Sequence, residues 1–289
     1  MATAEQKAEY IAAKAALEFY IDHGVDIAVN DDVIDKTALT PIQSPPPEQT
    51  SNKTKSSSIV QAAAAPAPLL GKTDAHAKAV EFAKAAKTLD ELKEAIAQFD
   101  GIGLKKTATN LVFSSGNQAA KIMLIGEAPG ADEDRVGQAF MGAAGDLLNK
   151  ILACIDIDRA DEDPLKSVYI SNILNWRPPG NRTPTPAEIA VSLPFIERHI
   201  QLAKPQLIIL CGGVPAKSLL GSGDSISRLR KKWHDYTPQT AELSDGAKPI
   251  PAIATYHPSY LLQTPAQKRA VWQDMLMLNT KRKDLNLLP

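Results

Sequence analysis

Four short apolar runs, each followed at once by a loop of unusual composition, constrain this chain more than any other feature. The runs are Lys121–Ile125, Ser167–Leu174, Gln206–Cys211 and Ile250–Tyr256. Runs of this length and uniformity read as strands covered on both faces. Helical stretches separate or follow them: Gly142–Ile155, Pro186–Ala203, Val214–Leu220 and Pro265–Leu278. Strands alternating with helices predict an α/β fold, a three-layer α/β/α sandwich with a central, mainly parallel four-stranded sheet. Open parallel sheets place their sites beyond the strand C-termini. The unusual residues sit there: Gly126-Glu127-Ala128-Pro129-Gly130 after the first run, Asn172 and Asn175 near the end of the second, Gly212-Gly213 after the third, His257-Pro258-Ser259-Tyr260 after the fourth.

The remainder is organised around this predicted domain, which spans residues 76–283. Residues 1–36 form an N-terminal segment whose Ala-rich stretch 4–22 reads as an amphipathic helix ended by His23-Gly24. Residues 37–75 are rich in Pro, Ser, Thr, Ala and Lys, a composition that cannot bury enough apolar surface to fold, and are expected to be a disordered linker. No apolar run reaches the length of a membrane span and the first ten residues lack the pattern of a secretion signal, so the expected location is the cytoplasm. The two cysteines, Cys154 and Cys211, exclude a disulfide framework and a four-cysteine metal site, and both read as core residues. A net charge of -1 hides an asymmetry: residues 1–60 carry 5 basic against 9 acidic side chains, whereas residues 196–289 carry 13 against 7. The C-terminal third can therefore present a basic face to nucleic acid.

Common catalytic signatures are missing. No loop matches the phosphate-binding, dinucleotide, H-E-x-x-H zinc or G-x-S-x-G hydrolase patterns. The four loops instead supply carboxylates, a carboxamide, an aromatic ring, a histidine and arginines. That set suits a small heterocycle flanked by phosphates. A carboxamide both donates and accepts, so it can read a pyrimidine edge. An aromatic face can stack on a base. A histidine can donate to an oxygen that becomes negative in the transition state, and a carboxylate can hold water beside a sugar carbon that becomes cationic.

At this point the sequence resembles a known family. Gly126–Asp134, Phe140-Met141-Gly142 and Gly145 are similar to the first motif of the type-4 uracil-DNA glycosylases. Tyr169–Asn172 with Arg177–Pro184 resembles their second block, and His257–Leu262 their last. The resemblance implies a DNA-repair hydrolase that flips uracil out of DNA, cuts its N-glycosidic bond and leaves an abasic site. The alternative is a non-catalytic DNA- or protein-binding member of the superfamily. By resemblance, the catalytic residues are His257, Glu127 and Glu133, with one of the two glutamates positioning water or shaping the pocket against the thymine methyl group. Phe140 stacks on uracil, Asn172 reads its polar edge, and Ala128 and Gly130 line the pocket. Ala128 stands where related glycosylases carry an aspartate, so strong general-base help from that position is absent. DNA contacts fall to Arg177, Arg182, Ser259, Leu261, Arg228, Arg230, Lys231 and Lys232, with Leu261 or Leu262 as the wedge that fills the gap left by the flipped nucleotide. Asp132 and Asp134 read as helix-start or surface acids, and His23, His76 and His199 carry no assigned role.

One departure bears on cofactors. The type-4 family usually holds an iron–sulfur cluster on four cysteines. The matching positions here are Phe99, Ile102, Trp176 and Ser192, none of them a thiol. No cluster is therefore expected, and Phe99, Ile102 and Trp176 are expected to fill its place as an apolar plug. A related branch that traps DNA through a histidine in an inserted basic loop is also not matched after the second strand. The expected partners are uracil-containing DNA and a protein for the N-terminal helix; no membrane is implied, and a monomer is expected.

Overall fold

The computed structural model describes residues 72–288. In chain order the elements are α1 (Lys72–Ala85), α2 (Leu89–Gln98), β1 (Ser115–Gly116), β2 (Ile122–Gly126), α3 (Ala131–Val136), α4 (Gly142–Ala153), β3 (Tyr169–Asn172), α5 (Pro186–Ala203), β4 (Leu207–Cys211), α6 (Gly213–Leu220), α7 (Ile226–Leu229), β5 (Trp233–Tyr236), α8 (Ala241–Ser244), β6 (Ile250–Thr255), α9 (Pro258–Gln263) and α10 (Lys268–Asp284). The expected helix at 4–22 and the linker up to residue 71 lie outside the described residues. Helix α1 begins at Lys72, inside the stretch read as linker. Its alanines conceal the reason: Ala75, Ala79 and Ala83 are small enough to let the helix lie close against the core.

The four strands read from the sequence form a parallel set in the order β3-β2-β4-β6. The sheet has six strands rather than four, because β1 pairs antiparallel with β3 at one edge and β5 with β6 at the other. β1 is two residues long and β5 carries Trp-His-Asp-Tyr, so neither shows the buried apolar run that marks the parallel strands. Successive side chains of a strand point to opposite faces. Met123, Ile125, Ile208, Leu210, Ala252 and Ala254 therefore join α1, α2, α5 and α6 in one core, while Ile122, Leu124, Ile209 and Ile253 join α4, α9 and α10 in another. That period-2 division makes the three layers.

Two helices are started by local chemistry. Thr88 accepts from the Glu91 N–H at the head of α2. At α5, Thr185 Oγ1 accepts from the Glu188 N–H and Glu188 Oε2 from the Thr185 N–H, ahead of Pro186 in the first turn. The connections step across the sheet in opposite directions from the parallel neighbours β2, which leads to β3 on one side, and β4, which leads toward β6 on the other. Such a switch point opens a crevice at the strand C-termini, and the loops of interest border it.

Candidate active site

The loops after β2, β3 and β6 meet around a cavity of about 850 Å³, lined among others by Glu127, Ala128, Gly130, Glu133, Phe140, Asn172, Arg182 and His257. Gly126, the last residue of β2, brings the two central side chains together. A Cβ there would lie 2.4 Å from Asn172 Oδ1 and 2.6 Å from Phe140 Cε2. The amide and the ring both rest on bare backbone. Phe140 has φ +53, the left-handed region. For a bulky residue this conformation costs roughly 1–3 kcal/mol and persists only where its surroundings enforce it. Gly145 is part of that enforcement: the Phe140 carbonyl comes within 2.0 Å of where a Cβ on Gly145 would be, a space no other residue leaves free.

His257 caps α9, and its Nδ1 accepts the Ser259 N–H at 3.2 Å. A backbone N–H can only donate, so Nδ1 is bare and the proton of the neutral ring sits on Nε2. Burial pushes the imidazole down to about 4, which keeps it neutral near pH 7. Its ring centroid lies 5.1 Å from that of Phe140, tilted by 33°. Among the described residues nothing accepts from Nε2–H, and a neutral imidazole so placed beside an aromatic face is a ready donor to a carbonyl oxygen of a stacked base.

The two glutamates separate cleanly. Glu133 Oε2 accepts from the Gly130 N–H at 2.9 Å and Oε1 from the Met141 N–H at 2.8 Å. Its carboxylate ties the head of α3 to the Phe140 loop. Among the described residues, no donor pairs the Glu127 carboxylate, and burial raises its pKa. Glu127 therefore keeps both oxygens for a ligand or water.

The residues expected to face DNA scatter more. Arg182 lines the cavity and is held by Glu188 at 2.7 Å. Arg177 donates to Asn181 Oδ1 at 2.7 Å. Ser259 and Leu262 are exposed at the cavity rim. Arg228, Lys231 and Lys232 are exposed near β5. Two expectations fail. Leu261 is fully buried in the core against α4 and α10, and of the two leucines only Leu262, 47% exposed, is open to solvent. Arg230 is buried and bonded through Nε and Nη2 to both oxygens of Asp274, at 2.7 and 2.9 Å. It also lies over the Tyr256 ring at 4.2 Å. A charged stretch in sequence does not show which of its members turn inward; here the Asp274 carboxylate of α10 holds Arg230 there.

Other side chains depart from the simplest reading. Asp134, read as a helix-start or surface acid, lies in the first turn of α3 but is buried, and it accepts from the Thr109 and Asn110 N–H groups. Cys154 is exposed rather than in the core, whereas Cys211 is buried. His199 is fully buried, stacked on Phe113 with Nε2 bonded to the Tyr169 hydroxyl at 2.8 Å. Asp274 and Arg159 carry no motif signal, because their partners approach them only in the fold.

Residues 113–276 match the model of the uracil DNA glycosylase superfamily. The chain belongs to that superfamily. It is 37% identical over 183 residues to a type-4 uracil-DNA glycosylase of Archaeoglobus fulgidus, covering 62% of this chain and 85% of that protein. It is 34% identical to those of Pyrobaculum aerophilum and Thermotoga maritima, covering 65% of this chain and 92% and 91% of theirs. Membership makes the four cluster-ligand positions a point to test. Phe99, Ile102, Trp176 and Ser192 do converge, together lining a cavity of only about 10 Å³ with Ile96, Val191 and Phe195. Phe99 packs edge-on against Phe82 at 5.6 Å and Phe195 at 5.1 Å. No thiolate is offered and carbon fills the space, so these residues do not fit an iron–sulfur cluster. Among the described residues, no group of three or more His, Cys, Asp or Glu side chains could hold a metal ion. Nor, among them, is any helix long and apolar enough to cross a membrane.

Proposed function

We propose that this superfamily member is a monofunctional uracil-DNA glycosylase that acts without a metal cluster. One observation carries the reading: an aromatic ring, a carboxamide, a neutral imidazole with its proton on Nε2 and a carboxylate that no described residue pairs line one cavity. Each has a task in hydrolysing a pyrimidine N-glycosidic bond. Uracil, flipped from the strand, stacks on Phe140, and the Asn172 amide bonds its N3–O4 edge. As the C1′–N1 bond breaks, its electron pair leaves with the base and spreads onto O2, where His257 Nε2–H donates. Water adds to the cationic C1′ from the side of Glu127, whose carboxylate orients it and favours the positive charge. The water's proton leaves with the base or to solvent, giving uracil and an abasic sugar.

The roles of Ala128 and Gly130 are passive: they form a wall that keeps the base against Phe140. Arg182 and the rim residues Ser259 and Leu262 would meet the strand, with Arg228, Lys231 and Lys232 contributing at longer range. The plug around Phe99 and Trp176 replaces whatever stiffness a cluster would supply to the segments before β1 and after β3.

The test is incubation with single- and double-stranded oligonucleotides containing one uracil, followed by alkali. Strand cleavage at uracil is expected, falling by about 100- to 1000-fold in His257→Ala, the scale for losing one such donor. Glu127→Gln should lose more turnover than binding. Purified protein should contain no iron. Intact oligonucleotides under all conditions, or turnover of free nucleotides instead, would refute the reading.

A further inference from the structure

We propose that Arg159 is a positioning residue for base excision: it locks the Phe140–Met141 peptide unit and so aims the ring on which uracil stacks. The proposal rests on the stacking role given to Phe140 above. Arg159 lies in the connection between α4 and β3, outside the three motifs that carried the resemblance.

Its guanidinium reaches back to the Phe140 loop. Nη1 donates to the Phe140 carbonyl at 2.9 Å and to the Ala139 carbonyl at 3.3 Å, with Met141 Sδ at 4.0 Å. Nε donates to Asn149 Oδ1 of α4 at 2.8 Å. Nη2 is buried and, among the described residues, has no partner. Asp146, Asp158 and Glu133 act on this cation through space. Among the described residues, no carboxylate pairs with it directly. A half-buried guanidinium whose hydrogen bonds end mainly on carbonyls is held for those carbonyls.

The geometry of one peptide unit shows why. The Phe140 carbonyl and the Met141 N–H belong to the same planar group. Arg159 holds its oxygen, and Glu133 Oε1 accepts its N–H from the other side. A cation and an anion thus grip opposite ends of one plane. Rotation of that plane changes ψ of Phe140 and φ of Met141, and the Ala139 carbonyl, which Arg159 also holds, belongs to the plane whose rotation changes φ of Phe140, so Arg159 restrains both planes flanking the strained residue. With Arg159 removed, Phe140 has an escape from its strained conformation, and the ring leaves the wall formed by Gly126.

The experiment compares wild type, Arg159→Met and Arg159→Lys, each with Phe140 present and in a Phe140→Ala background. Single-turnover excision, DNA binding by anisotropy, melting temperature and amide hydrogen exchange are measured. Arg159→Met should lower the excision rate by about 10- to 100-fold with little loss of DNA affinity, as misplacement near a reacting group does. In the Phe140→Ala background the same substitution should cost less than about twofold, because the two residues act as one unit. Arg159→Lys, which keeps charge but not the fork, should fall between. Exchange at residues 139–142 should rise while α10 is unchanged. Equal losses with and without Phe140 would show a merely structural role and overturn the proposal. Should Arg159→Met not fold, Arg159→Lys carries the same comparison. A wild-type protein that leaves uracil in DNA defeats the functional reading; unaltered exchange at 139–142 in the Arg159 variants defeats this one, whatever the activity.

Discussion

Replacing Gly126 by alanine adds a single methyl group at the place where the site is tightest. The new carbon would lie 2.4 Å from Asn172 Oδ1 and 2.6 and 2.7 Å from Phe140 Cε2 and Cζ. Comfortable contacts are about 3.5–4.0 Å, so the amide and the ring must each retreat by roughly 1 Å. Neither has room to do so freely: Asn172 is 2% exposed and Phe140 4% exposed. A displacement of about 1 Å near the chemistry costs on the order of 100-fold in rate, or about 2.7 kcal/mol of transition-state stabilisation. Overpacking should also lower stability by roughly 1–3 kcal/mol. The two effects are separable. Single-turnover excision on a uracil oligonucleotide reads the first, and urea unfolding the second. Gly223→Ala is the control, since a Cβ there meets nothing within 4 Å. A Gly126→Ala protein that excises uracil at the wild-type rate would show that Asn172 and Phe140 do not need their places against this backbone, and would refute the pocket as described.

Three further outcomes follow from the buried polar groups and the rim. Asp274→Ala strands the Arg230 guanidinium and removes the acceptor of the Thr255 hydroxyl two residues before His257, so urea unfolding should show a loss of about 3–5 kcal/mol; a neutral result would mean that water reaches this pair. Burial lowers the His199 imidazole to about 3, and an unfolded histidine titrates near 6.5. The unfolded state therefore binds the extra proton between these values. Stability from this group is fully present above about pH 6.5 and lost at about 1.4 kcal/mol per pH unit as pH falls toward 3. His257, lowered to about 4, adds a second limb over the upper part of that window. His199→Gln should flatten the acid limb in a pH series of melting temperatures, and an unchanged slope would count against a neutral buried ring. Leu262→Ala should weaken excision from duplex more than from single strands, because only the duplex leaves a gap to fill; equal effects would remove the wedge role.

Much of this protein is written locally. Apolar runs of five residues such as Ile122–Gly126 and Leu207–Cys211, too short for typical helices, read as strands covered on both sides, and their alternation with helices points to a parallel sheet with the loops at one edge. Glu127, Asn172 and His257 were legible as candidates for the same reason, since each lies beside a strand end whose position the pattern sets, whereas Phe140, between α3 and α4, was legible only through the resemblance. Replacement of the four cysteine positions could likewise be read without coordinates, since a missing thiol is a fact of sequence. What only the tertiary structure decided depends on atoms brought together from far apart in the chain. Both glutamates look alike in the motif, yet one is tied to two backbone N–H groups while the other stays unpaired. Leu261 and Leu262 are neighbours, and helix phase alone buries one and exposes the other. Arg230 turns inward because Asp274, forty-four residues on, waits there. Edge strands β1 and β5 form because a parallel core leaves unpaired backbone at its margins, which accepts whatever segment the chain delivers. Local pattern follows from how a short stretch meets water; partnership follows from the closed packing of the whole, which no short stretch contains.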